Sequence, residues 1–114
     1  MATERWVATT PLGQSIRLSE DGWSRKILVS HAEFGTDTRF EAELRETLTN
    51  PEVILEGWAG EYLAIRHCAI APKRPKYLCA VYREGLPAGF VITAFFVSRR
   101  DKLMKRKMRW NKQP

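Results

Sequence analysis

Histidine occurs twice in this chain, at 31 and 67, and His31 stands two residues before Glu33. A short list of other side chains could join them in chemistry. Arg66, Lys76, Tyr82, Arg83 and Thr93 fall in apolar runs, and Arg99, Lys105, Arg106 and Lys107 follow Ser98. This set suits cleavage of RNA without a metal. That reaction needs one group to deprotonate the 2′-hydroxyl, one to protonate the leaving 5′-oxygen, and cations to hold the phosphate as charge builds. Histidine serves as acid or base because its ordinary pKa lies near neutrality. Glu33 would orient His31 or act as a base. Lys76, Arg66 and Arg83 would bind phosphate, and Tyr82 would stack on a base. The hydroxyl of Thr93 sits among Val91, Phe95 and Val97, and a buried hydroxyl wants a partner.

Each residue also has an ordinary reading. His31 suits a helix C-terminus, where it would cap carbonyls. Lys76, after Pro75, suits a strand edge. Thr93 has good strand propensity. Arg66 and Arg83 read equally as surface charges, and Tyr82 as a core filler.

Other chemistries are less well served. The sequence has no H-E-x-x-H, no aspartate cluster, no glycine-rich phosphate loop and no G-x-S-x-G turn, so no metal or cofactor is expected. His67 and Cys68 are neighbours in a strand-like run and should point to opposite faces, which argues against a Cys–His pair. Cys68 and Cys79 lack zinc-site spacing and read as free, buried thiols.

Charge is unevenly spread. Of 19 basic and 13 acidic residues, eight basic and one acidic lie in 98–114, so that segment carries 8 − 1 = +7 and the rest (19 − 8) − (13 − 1) = −1. Such asymmetry points to a polyanionic partner, RNA before membrane, against the plainer reading of a solubilising tail. No apolar run approaches the roughly 20 residues a spanning helix needs. The opening "MATERWVATT" has no apolar signal core, so a cytoplasmic protein is expected.

The elements that must position these residues read as follows. "RWVAT" and "SIRLS" flank a Pro-Gly turn and form a small hairpin. "EDGWSRKILVSH" is helical, with Asp21 as N-cap and Trp23, Ile27 and His31 at i, i+4, i+8. "TRFEAELRETLTN" is a second helix. Thr38 and Glu41 form its capping box, Phe40, Leu44 and Leu48 line its stripe, and Asn50-Pro51 end it. Then "EVILEG", "EYLAIRHCAI", "KYLCAVYRE" and "GFVITAFFV" follow with short links, which imply antiparallel hairpins. The last run is apolar on both faces and reads as a covered, central strand. The expected fold is α+β: a small N-terminal hairpin and two helices packed on a four-stranded antiparallel meander. The chain reads as a single domain over 1–114. Its basic tail, from about residue 99, reads as helical, with Ser98 and Asp101 as capping box, Leu103, Met104, Lys107 and Met108 as stripe, and the last few residues frayed.

From about Pro11 to Trp110 the chain resembles a small phage and prokaryotic group of the barnase–EndoU–colicin–RelE-like (BECR) nuclease superfamily. The resemblance is carried by "PLGQSIRLSEDGWSRKIL", by "HAEF" where His-Pro-Glu is common, by "ETLTNPEVILEG", and above all by "PKYLCAVYRE" followed by "GFVITAFFVSR". Ala32 stands where a Pro is usual, with His31 and Glu33 retained. The resemblance implies helices on an antiparallel sheet and metal-independent RNA cleavage at the open face of that sheet. It also puts His31, Lys76 and Thr93 at matching positions. An antitoxin or immunity protein is an expected partner of a toxin-like nuclease. The alternative is a basic nucleic-acid-binding module with a degenerate site.

Overall fold

The computed structural model describes residues 3–112. Strand-forming residues dominate the chain, and they make one seven-stranded sheet: β1 Glu4–Thr9, β2 Ser15–Ser19, β3 Val53–Glu56, β4 Tyr62–Cys68, β5 Lys76–Arg83, β6 Gly89–Val97 and β7 Met108–Asn111, in the order β1-β2-β6-β5-β4-β3-β7. The first helix, α1, is π-helical over Gly22–Ile27 and α-helical over Leu28–Ser30, and α2 is Arg39–Thr49. This overturns the expected two helices on a four-stranded meander. The sheet is larger and mixed, because the N-terminal hairpin and the C-terminal segment both join it.

The hairpin joins through a parallel contact. β2 runs beside β6 with Ile16 opposite Gly89 and Arg17 opposite Phe90. The chain approaches closely where β6 begins. A Cβ on Gly89 would lie 1.9 Å from the Arg83 carbonyl oxygen, so only glycine fits. Beyond Phe90, β2 no longer pairs with β6. The free edge is covered by α1 and by the 3₁₀ turn Ala32–Gly35 instead.

The expected basic helix is also overturned. After Val97 the chain crosses the sheet in a strap with one 3₁₀ turn, Leu103–Lys105, and ends as β7 paired antiparallel to β3. Two ladder bonds extend the pairing, from Glu56 N to Lys107 O (2.8 Å) and from Lys112 N to Glu52 O (3.0 Å). The physical cause is β3. Val53, Ile54 and Leu55 are buried on both faces, and an unpaired edge there would leave backbone groups without partners. The fraying expected of the last few residues falls partly on 113–114, outside the described residues.

Two apolar layers result. The helix-bearing face packs Ile54, Ala64, Leu78, Ala80, Tyr82 and Ala94 against α1 and α2, with Phe34 stacked on Phe96 at 4.7 Å. On the second face Val53, Leu55, Leu63, Ile65 and Cys79 are covered by Leu103 and Met104 of the strap. Neither expected helix cap forms. Asp21 and Thr38 make no capping bond, and Asp37 accepts from the Arg39 amide at 2.8 Å instead. Glu41 is drawn out of its capping box by a better partner. Its carboxylate accepts from Arg5 Nη2 (2.6 Å) and Trp6 Nε1 (3.0 Å), tying α2 to β1. No helix among the described residues is long and apolar enough to cross a membrane.

Candidate functional site

The strap covers only part of the second face, and what it leaves open is the β5–β6 side. β6 runs along this region. Opposite Cys79, Val81 and Arg83 of β5 stand Phe95, Thr93 and Phe90 of β6. Phe95 and Thr93 are half-buried, and Phe90 is 49% exposed. Sheet alternation lays Thr93, Phe95 and Val97 along one open face, and a bulge at Ile92, where the register against β5 shifts, brings Phe90 onto the same face.

His31 reaches this face from the side. It ends α1, with its amide donating to Ile27 O at 2.8 Å and its carbonyl accepting from Phe34 N at 3.1 Å. The turn wraps the free edge of β6. Phe34 stacks on Phe96 on the helix-bearing face, while the His31 ring lies 6.0 Å from the Phe95 ring on the other. Thr93 precedes Phe95 by two residues on the same face, about 7 Å along the strand. Glu33 is half-buried in the same turn, where its carbonyl accepts from the Thr36 amide and hydroxyl.

At the far end of β6 a pocket of about 520 Å³ is lined by Val97, Arg99, Asp101, Lys102, Leu103 and Lys105. Val97 and Leu103 make its apolar wall and three cations its rim. Arg99 is committed to Asp101, whereas Lys102 and Lys105 have no carboxylate partner among the described residues. A partly apolar groove with unpaired cations suits the alternating phosphates and bases of a nucleic acid strand.

The remaining expected site residues are dispersed. Lys76 shares the parity of Leu78, Ala80 and Tyr82, so it stands on the helix-bearing face, opposite Thr93. Arg66 is on that same face and pairs with Glu43 of α2 at 3.3 Å, which makes it a strut between helix and sheet. Tyr82 is 0% exposed, and a ring with no exposed surface offers nothing for a base to stack on. Burial raises its phenol pKa, and its hydroxyl has no hydrogen-bond partner. The stacking role assigned to Tyr82 and the phosphate role assigned to Arg66 are therefore corrected. Arg83 lies on the second face, 3.7 Å from Glu61. Arg106 lies over the Trp58 ring at 3.7 Å, and Lys107 is exposed, 4.0 Å from Glu56.

The thiols are free and buried. Burial pushes Cys79 up to about 12 and raises Cys68, so neither supplies a thiolate at neutral pH. His67 is exposed where Cys68 is buried, so the two do not form a pair.

Sequence reasoning left Lys102 out of the named site cations and missed the exposed Phe90 and the half-buried Phe95. The signal was present in β6 itself. A strand apolar on both faces, even one flanked by two others as β6 is, exposes whichever face no other element covers, and partly exposed aromatics beside cations mark a ligand surface.

No family model, no curated protein and no solved structure matches this chain.

Proposed function

We propose that this protein is a metal-independent ribonuclease that takes single-stranded RNA across the open half of the second sheet face. The observation that carries the reading is the seating of His31 on Phe95, at the edge of a face that also bears Thr93 and ends in the cation-rimmed pocket. The resemblance to BECR nucleases supports it, with His31 and Thr93 at matching positions.

In this reading His31 and Glu33 exchange the protons. One of them removes the proton of a 2′-hydroxyl, and the 2′-oxygen attacks the adjacent phosphorus. The bond from phosphorus to the 5′-oxygen breaks, and that oxygen takes a proton from the other group. The products are a 2′,3′-cyclic phosphate and a free 5′-hydroxyl. Lys102 and Lys105 hold neighbouring phosphates, and Thr93 hydrogen-bonds the reacting strand. Free Cys68 and Cys79 suit a reducing, cytoplasmic setting. An antitoxin or immunity protein would act by covering this same face.

A second reading, binding without cleavage, is favoured by one observation: Lys76 stands on the other face, so no lysine from β5 backs His31. Labelled RNA incubated with the protein in EDTA separates the two. Cleavage that persists in EDTA, is lost in His31→Ala with an unchanged thermal midpoint, and survives in Lys76→Ala is the expected result. Binding with no cleavage favours the second reading. Undiminished cleavage in His31→Ala removes His31 from the mechanism.

A further inference from the structure

Trp58, in the loop between β3 and β4, is 87% exposed. An indole in water costs free energy, and scattered apolar residues on a surface are ordinary, but this one is held in place. The Arg106 guanidinium lies 3.7 Å from its ring centre. Glu61 accepts from the Trp58 amide at 2.8 Å and the Ala59 amide at 3.2 Å, and Gly60, at φ +86°, closes the turn. The loop is thus rigid and the indole oriented, with one side on Arg106 and the rest in solvent.

The loop also borders the open face. Glu61 lies 3.7 Å from Arg83, and Arg83 is opposite the exposed Phe90 at the start of β6. Trp58 thus borders the Arg83–Phe90 end of the open face, and through Arg106 it meets the strap next to Lys105, which lines the cation-rimmed pocket. The seven steps from Phe90 to Val97 span about 23 Å, which is room for several nucleotides.

We infer that Trp58, oriented by Arg106, is a nucleobase-stacking subsite for single-stranded RNA at the Arg83–Phe90 end of the open face. The inference rests on the ribonuclease reading for its ligand class. Charge favours RNA over a protein partner. Arg106 lies on the indole, Arg83 pairs with Glu61 of the same loop, and the strap beside them carries Lys102 and Lys105. A base lies flat on the free side of the ring, an arrangement that tolerates any sequence. Trp58 sets reach along the strand and takes no part in proton transfer.

The test uses the full chain, a 2′-O-methyl octanucleotide that cannot be cleaved, and a dinucleotide substrate too short to reach Trp58 from His31. Trp58→Leu should weaken octanucleotide binding about tenfold, the factor expected for losing one base–aromatic stack. Trp58→Phe should recover most of it, and quenching of tryptophan emission by the octanucleotide should vanish in Trp58→Leu. Dinucleotide cleavage should not change. Equal octanucleotide affinity in wild type and Trp58→Leu overturns the inference, and is what a protein-docking role for Trp58 predicts. An equal loss on dinucleotide and octanucleotide also overturns it. If wild type fails to cleave the dinucleotide while the Trp58 effect on the octanucleotide persists, the ribonuclease reading falls and the stacking subsite stands.

Discussion

Replacing Lys102 and Lys105 together by Gln should flatten the salt dependence of RNA binding by an amount the structure sets. Both line the pocket beside Val97 and Leu103, and neither has a carboxylate partner among the described residues. The other cations of the strap are engaged: Arg99 with Asp101, Arg100 with Glu52 at 3.0 Å, Arg106 with Trp58, Lys107 with Glu56. Each phosphate neutralised on a single strand contributes about −0.7 to the slope of log affinity on log salt, so losing two contacts changes the slope by about 1.4. Over a fourfold salt increase, about 0.6 of a decade, wild-type affinity should fall about sevenfold more than that of the variant. Fluorescence anisotropy with a 2′-O-methyl oligonucleotide across a potassium chloride series measures this. Arg45→Gln is the control, because Arg45 lies on α2, on the helix-bearing face, with its guanidinium donating to Val7 O at 3.2 Å. It should leave the slope alone. A double variant with the wild-type slope, or a control that lowers it equally, would refute the assignment of the pocket to phosphate.

Two further outcomes test the fold around this face. Tyr82→Phe removes a buried hydroxyl that has no partner, which should stabilise by about 1 kcal/mol; for 114 residues that is a rise of about 4 °C in Tm, with RNA affinity unchanged. A fall in Tm would show that the hydroxyl is bonded. Glu41→Gln should cost about 2 kcal/mol at neutral pH, because it removes the charged acceptor of Arg5 and Trp6. The Arg5 guanidinium holds the Glu41 carboxyl below the usual carboxylate range, so its contribution is complete above the ordinary glutamate pKa and is lost as pH falls through the depressed one. The gap between wild type and variant in urea midpoint should therefore narrow as the pH falls below the ordinary glutamate range, and a gap that does not narrow in acid contradicts the pairing.

Local signals were legible in the sequence and partnerships were not. The strand runs could be read because β-branched and aromatic residues cluster between Gly and Pro turns. The parallel seam between β2 and β6 could not, since two register pairs leave no pattern in either strand. β7 was hidden because "MRWN" sits in a basic run whose apolar spacing also fits a helix, and only the need of β3 for a partner decides between them. The capping box at Thr38 was misread for a similar reason: Glu41 meets Arg5 and Trp6, more than thirty residues away in sequence. For the candidate site, His31 stood out by residue type alone. The misassignment of Tyr82 was avoidable. Lys76, Leu78, Ala80 and Tyr82 share one parity, and a face that carries Leu and Ala between its ends is the buried one.

The strap explains why the open half of the face lies where it does. Leu103 and Met104 cover Val53, Leu55, Leu63, Ile65 and Cys79, the β3–β5 side, because β7 must reach the outer edge of β3. The chain that leaves β6 therefore travels away from His31, and Thr93 and Phe95 stay only half-buried beside it. The same ten residues that close one half of the second apolar layer carry the unpaired lysines to the border of the other half. A helix standing off the body could have supplied the charge but not the cover. Charge alone would make a sticky tail, whereas charge fixed along the rim of an aromatic-bearing face would, in the proposed function, give a strand of RNA a direction to lie in.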